Sequence, residues 1–114
     1  MKIYTIRGKW SDGVAANVVD LGEKKRREYP LQHHVRHSPD GFEYGYNGSG
    51  PTDLALSILW DLFNEEPKQW LYMALRAKFI GPADRKKPLI ISEEEIKDWI
   101  SQICHSRRST SRQT

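Results

Sequence analysis

Sulfur, long apolar stretches and net charge on the body of the chain are all scarce. Cys104 is the single cysteine in 114 residues, which excludes an internal disulfide and every zinc or iron-sulfur site built from several cysteines. It reads as a bystander near a helix end, and no cofactor is expected. Uninterrupted apolar runs extend for only a few residues, so neither a membrane span nor the apolar segment of a secretory signal can be drawn. The expectation is a cytoplasmic protein with no membrane partner. Eighteen basic residues oppose fifteen acidic ones for a formal charge of +3, and Arg107, Arg108 and Arg112 account for all of it. Residues 1–104 are therefore neutral overall, whereas a nucleic-acid-binding domain concentrates positive charge on its folded surface.

What is present is enough for one core. At 38% hydrophobic, the composition predicts a single α+β domain over residues 1–104 and a disordered basic tail over 105–114, whose Ser, Thr and Arg residues have nothing to bury. Residues 2–7 alternate and offer two faces, with Ile3 and Thr5 on one and Tyr4 and Ile6 on the other. Trp10-Ser11-Asp12-Gly13 reads as a turn and residues 14–21 as a second, β-branched strand. The charged stretch 23–28 reads as an exposed loop. A third strand is predicted over 29–37, with Tyr29, Leu31, His33, Val35 and His37 sharing a face. Ser38-Pro39-Asp40-Gly41 has the residues of a turn, after which 42–46 is expected to be extended, with Phe42, Tyr44 and Tyr46 on one side and His37 packed against the turn.

Leu54, Ile58 and Leu62 at four-residue spacing predict a buried helix over 52–63, with Pro51 at its start and Asp53 complementing the helix dipole. A second helix is predicted from Pro67 to about residue 80, with Trp70, Leu71, Ala74, Leu75 and Phe79 toward the core. Leu89-Ile90-Ile91 reads as a short strand. Ser92 and Glu95 then form a capping box ahead of Ile96, Trp99, Ile100 and Ile103. The sum is a small antiparallel sheet of three to five strands packed against about three helices.

The segment His37-Ser38-Pro39-Asp40-Gly41-Phe42-Glu43-Tyr44-Gly45-Tyr46-Asn47-Gly48-Ser49-Gly50-Pro51, with Leu54-Ala55-Leu56 after it, resembles the signature of the family catalogued as DUF6166, small domains of phages and bacteria. Tyr44 stands where the family usually has Trp, and Asn47 where it usually has Gly. The resemblance implies a phage or mobile-element accessory protein acting in the cytoplasm of the bacterial host, and implies no particular activity. Small phage proteins of this size often neutralise a host defence by binding.

A glycine-rich turn entering a helix points backbone amides at one place, backed by the positive end of the helix dipole, as in phosphate and carboxylate sites. The candidate ligand-binding set is accordingly Arg36, His37, Tyr44, Tyr46, Asn47, Gly48, Ser49 and Gly50, for an anionic small molecule such as a signalling nucleotide. The same turn is also what a plain strand-to-helix passage requires. Lys24, Lys25, Arg26 and Arg27 form a candidate partner-binding surface for a host nuclease or defence protein. Together with the terminal arginines they are a weaker candidate for nucleic acid. His33, His34 and His37 lack a second source of ligands, so no metal site is assigned. Glu43, Ser49 and His37 do not form a Gly-x-Ser-x-Gly elbow, so no catalytic residues are assigned and the chain is read as a non-enzyme. Trp60 interrupts an apolar helix face and leaves a homo-oligomer open.

Overall fold

Of the two faces that residues 2–7 offer, the fold buries the one bearing Tyr4 and Ile6. In the computed structural model, which describes residues 1–9 and 13–112 and only the backbone at 9 and 105–112, four strands are antiparallel in the order β3-β2-β1-β4. These are β1 (Lys2–Lys9), β2 (Gly13–Leu21), β3 (Arg26–Pro30) and β4 (Leu89–Ser92). Tyr4 lies opposite Val18 and Ile91, and Ile6 opposite Ala16. All five are buried, so the apolar rows of three strands coincide on one face, which is what locks their register.

Three helices complete an α+β fold: α1 (Ser49–Phe63), α2 (Gln69–Leu75) and α3 (Glu93–Arg112). Every residue of α1 from Gly50 to Leu59 is buried, and a helix buried on all sides occupies the middle of a core. Leu54, Leu56, Ile58 and Leu59 are fully enclosed there with Tyr44, Leu75, Ile80 and Ile96. Burial of each such aliphatic side chain contributes roughly 1.5–3 kcal/mol. α2 runs on into a π-helical turn, Arg76–Ile80, closed by the Gly81 N–H donating to the Arg76 carbonyl at 2.8 Å. The capping box is formed as its residues predict: the Ser92 hydroxyl accepts from the Glu95 amide at 3.1 Å, while the Glu95 carboxylate accepts from the Ser92 amide at 3.3 Å.

Several expectations are corrected. Arg26–Glu28, placed in a loop by their charge, open β3, exposed but paired with Val19–Leu21. The third strand ends at Pro30 instead of residue 37. Beyond Leu31 the amides of His34, Arg36, His37 and Ser38 donate to side chains of α1 instead of to a neighbouring strand, and Val35 is 59% exposed. Residues 42–46 form no ladder: Gly41 and Gly45 take positive φ of 117° and 91°, so Phe42 and Tyr44 turn inward while Tyr46 faces solvent. His37 is exposed rather than packed against the turn. Trp70 is exposed as well, where its helical spacing points it inward. Apart from these corrections, α3 itself runs to Arg112, in a stretch free of proline and glycine. The Trp10 turn and residues 113–114 lie outside the described residues.

Candidate functional site

Asp53, Ser57 and Asp61 recur every four residues on α1, a polar stripe along a helix whose other residues from Leu54 onward are apolar. Asp53 and Ser57 receive donors from the loop 33–38, and Asp61 from Lys2, Tyr4 and Tyr29. The Asp53 carboxylate, fully buried, accepts from the amides of Arg36 (3.2 Å), His37 (2.9 Å) and Ser38 (3.0 Å) and from His33 Nε2 (2.9 Å). Burial alone pushes its carboxyl up; the bonds from His33 and the three amides outweigh burial and hold it below the usual carboxylate range. One turn on, Ser57 Oγ accepts from the His34 amide at 3.0 Å. A further turn on, Asp61 accepts from Tyr4 OH (2.7 Å), Tyr29 OH (2.8 Å) and Lys2 Nζ (3.2 Å), and its backbone carbonyl takes a second bond from Lys2. Burial next to this carboxylate raises Tyr4 and Tyr29 above the ordinary phenol value. For Lys2, burial pulls the ammonium down, but its bonds to Tyr29 and Asp61 outweigh burial, so it stays charged.

The last turns of α1 and the chain crossing over them enclose a concave, polar pocket of about 380 Å³, within the range of small-molecule sites. Lys2, Tyr29 and Asp61 form one side of it. Its aromatic part is His34 lying flat on Trp60, ring centroids 3.8 Å apart and planes within 2°. Gln32 and Asn64 add amides able to donate and accept, and Arg27 adds a guanidinium 5.7 Å from the centre of the Tyr29 ring. Asn64 owes its place to the left-handed conformation (φ 57°) that ends α1, one that asparagine tolerates. Burial lowers His34 below the ordinary imidazole value, with the charges of His33 and Arg36 acting the same way, so the stacked ring is neutral near pH 7.

The glycine turn is spent mostly on packing. Tyr46 lies against Gly48, where an added Cβ would stand 2.5 Å from its ring; Glu43 covers Gly50, and Asn47 covers Gly81. Glu43 is ion-paired with Arg85. Gly48 is the N-cap of α1, Pro51 has no N–H, and the Thr52 amide donates to the Gly48 carbonyl at 2.9 Å. That leaves the amides of Ser49 and Gly50 as the first-turn donors, with Gly50 buried. Asp53 lies beyond the first turn and serves the 33–38 loop rather than the helix dipole. Arg76 reaches this end of the helix from the π-helical turn and donates to Thr52 Oγ1 at 2.8 Å, while its Nε is buried without a hydrogen-bond partner.

The other members of the expected ligand set have separate partners. Arg36 is ion-paired with Glu66 and lies 6.0 Å over Trp60. His37 Nε2 meets Tyr72 OH at 3.2 Å. Tyr44 is buried, its hydroxyl donating to the Lys87 carbonyl at 2.8 Å. Lys24, Lys25, Arg26 and Arg27 are all exposed around the β2–β3 turn. Among the described residues no cluster of three or more His, Cys, Asp or Glu side chains could hold a metal ion, and no helix is long and apolar enough to cross a membrane.

Sequence reasoning passed over Lys2, Gln32, Trp60, Asp61 and Asn64 as pocket residues. The available signal was the four-residue recurrence of Asp53, Ser57 and Asp61 in an apolar helix, since polar groups that enter a core must find partners.

Fold and site together define a small α+β domain with one long polar stripe on its central helix and a pocket at the end of that stripe. A family model matches residues 7–102, and the chain belongs to that family, described as a family of unknown function (DUF6166). No curated protein and no solved structure matches the chain.

Proposed function

We propose that the protein is a non-enzymatic binding protein that captures a small anionic ligand, and that the capture site is the pocket at the end of α1 rather than the glycine turn. The observation that carries this reading is the convergence of Arg27, Gln32, Asn64 and the flat His34–Trp60 stack on one concavity of about 380 Å³. Few, directed polar groups beside an aromatic wall are the usual composition of a small-molecule site. Absence of turnover is supported by the commitment of both inner carboxylates: Asp53 holds four donors and Asp61 three side-chain donors, leaving neither placed as a general base. In the phage or mobile-element setting, such a protein acts by stoichiometry, removing a host signal from solution.

The test is a thermal-shift screen with inorganic phosphate, simple carboxylates, nucleosides and nucleotides, followed by calorimetry. Stabilisation by at least one anion, reduced in Asn64→Asp and Arg27→Gln, is expected. No shift with any compound, or a shift that both variants retain in full, would discard the pocket as the site.

A second reading is a protein partner for Lys24, Lys25, Arg26 and Arg27, supported by the exposure of all four at one strand turn. A partner captured by the native chain and lost on reversing Lys24, Lys25 and Arg26, with small-ligand binding unchanged, would favour it.

A further inference from the structure

The charge and shape of the pocket restrict what it accepts, and this inference rests on the pocket being the capture site. Three cations surround it. Lys2 is committed to Asp61 at 3.2 Å and Arg36 to Glu66, each pair close to neutral as a unit. Arg27 differs: its guanidinium carbon lies 5.7 Å from the centre of the Tyr29 ring, and a ring contact satisfies none of its five N–H donors as an acid would. The lining therefore holds Lys2, Arg27 and Asp61 as its charged groups, a balance of one positive charge. His34 adds none near neutral pH, because burial lowers its proton affinity.

A ligand with one negative charge neutralises that balance. Further negative charge would have to sit beside Asp61 without a free cation, and like charges at close range are unfavourable in a partly enclosed site. The second restriction is geometric. His34 and Trp60 form a two-ring stack with centroids 3.8 Å apart and planes within 2°. A flat ring extends such a stack, because aromatic faces at van der Waals separation attract whatever their substituents. Gln32 and Asn64 supply primary amides, each able to donate and accept at once, which suits the edge of a heteroaromatic ring carrying both kinds of group.

We propose that the pocket takes a ligand made of one flat heteroaromatic ring and one singly charged anionic group, the chemistry of a nucleoside phosphodiester such as a cyclic mononucleotide. The ring stacks on the His34–Trp60 pair, its edge meets Gln32 and Asn64, and the phosphodiester is held by Arg27. The volume of about 380 Å³ accommodates one nucleotide unit, so a linear or cyclic dinucleotide would leave its second base outside.

The experiment compares four probes by calorimetry on the full chain: a purine 3′,5′-cyclic monophosphate, the matching neutral nucleoside, the matching nucleoside triphosphate, and an aromatic monocarboxylate without a sugar. The cyclic monophosphate is expected to bind at least tenfold more tightly than both the nucleoside and the triphosphate. Arg27→Gln, an exposed position, is expected to bring its affinity down to that of the nucleoside. Tighter binding of the triphosphate, or unchanged affinity in Arg27→Gln, overturns the single-charge assignment while leaving the pocket as a capture site. Binding of the carboxylate alone overturns the nucleotide assignment but keeps the ring-and-monoanion chemistry. If none of the four binds while another anion of the thermal-shift screen does, the ligand class is wrong and the capture reading survives; if no anion of either set binds, both fail.

Discussion

Asp53 and Asp61 stand eight residues apart on α1, and each carboxylate collects donors that reach it from a different segment: the loop 33–38 for Asp53, the strands β1 and β3 for Asp61. The central helix thus organises the chain that wraps it through two buried or half-buried acids, with Ser57 bonded to the His34 amide between them. The pocket is a by-product of this arrangement. Where the chain passes from β3 onto the helix it spans the gap between the two acids, and His34 comes to rest on Trp60.

Removing the Asp53 carboxylate should be among the most damaging single changes. Asp53→Ala leaves three amides and His33 without their acceptor inside the protein, and loss of one partner of a buried charged network costs about 3–5 kcal/mol. Asp53→Asn keeps the shape and one acceptor oxygen, so a smaller loss is expected. Urea unfolding of the two variants measures both; a loss below about 1 kcal/mol for Asp53→Ala would show that the loop holds itself.

The phenols of Tyr4 and Tyr29 both donate to Asp61, but Tyr4 is 1% exposed. Hydrogen bonds to a charged group contribute about 1.5–3 kcal/mol, so Tyr4→Phe should lose stability within that range and Tyr29→Phe, partly in solvent, less. Because burial raises the proton affinity of Tyr4 in the folded state, its contribution is complete below the ordinary phenol value near 10 and declines as pH rises above it. An alkaline absorbance titration should show a tyrosine that ionises only as the protein unfolds. Five tyrosines titrating together before unfolding would contradict this.

Glycine-to-alanine exchanges at the α1 entrance separate packing from mere exposure. At Gly50 the new methyl would lie 2.7 Å from Glu43 Cβ and 3.1 Å from the Glu43 backbone nitrogen, and overpacking of this kind costs about 1–3 kcal/mol. At Gly48 the obstruction is the ring of Tyr46, itself 51% exposed and free to swing outward, so a loss below about 1 kcal/mol is expected, the scale of a cap exchange. Thermal melts that rank the two variants in the opposite order would refute the assignment.

Acid should weaken the fold in two stages. His34 has a lowered proton affinity when folded, so its contribution is present above the ordinary imidazole value of about 6.5 and is lost as pH falls through its lower folded value. Asp53, also lowered, contributes fully above the ordinary carboxyl value of about 3.9 and loses that contribution as pH falls through its folded value. Stability measured against pH should therefore decline first below about 6.5 and again below about 4. His34→Gln should remove the first decline and leave the second.

Much of the architecture was legible from spacing and composition. Alternation located β1, β-branched composition located β2, the Leu54–Ile58–Leu62 spacing located α1, and Ser92 with Glu95 marked the start of α3. These are local signals, set by the period or composition of each element or by a cap within one turn. The third strand and the aromatic run 42–46 misled for one reason: both alternate as a strand does, yet their backbone donors and glycine conformations are dictated by groups distant in sequence, Asp53 and Ser57 for the former, the 80–85 connection for the latter. Arg36, His37, Tyr44 and Asn47 of the expected ligand set turn to Glu66, Tyr72, Lys87 and Gly81, partners that stand far from them in the sequence.

The amino-acid order by itself settled the class of fold, the start of α3 and the family, because each depends on patterns within a few residues or on a contiguous motif. Only the tertiary structure decided that Lys2, Tyr4 and Tyr29 would meet Asp61, and that His34 would lie on Trp60. Donors and acceptors separated by twenty to sixty residues have no periodicity to announce them; they are matched when a buried polar group must find some partner and the fold brings one within reach.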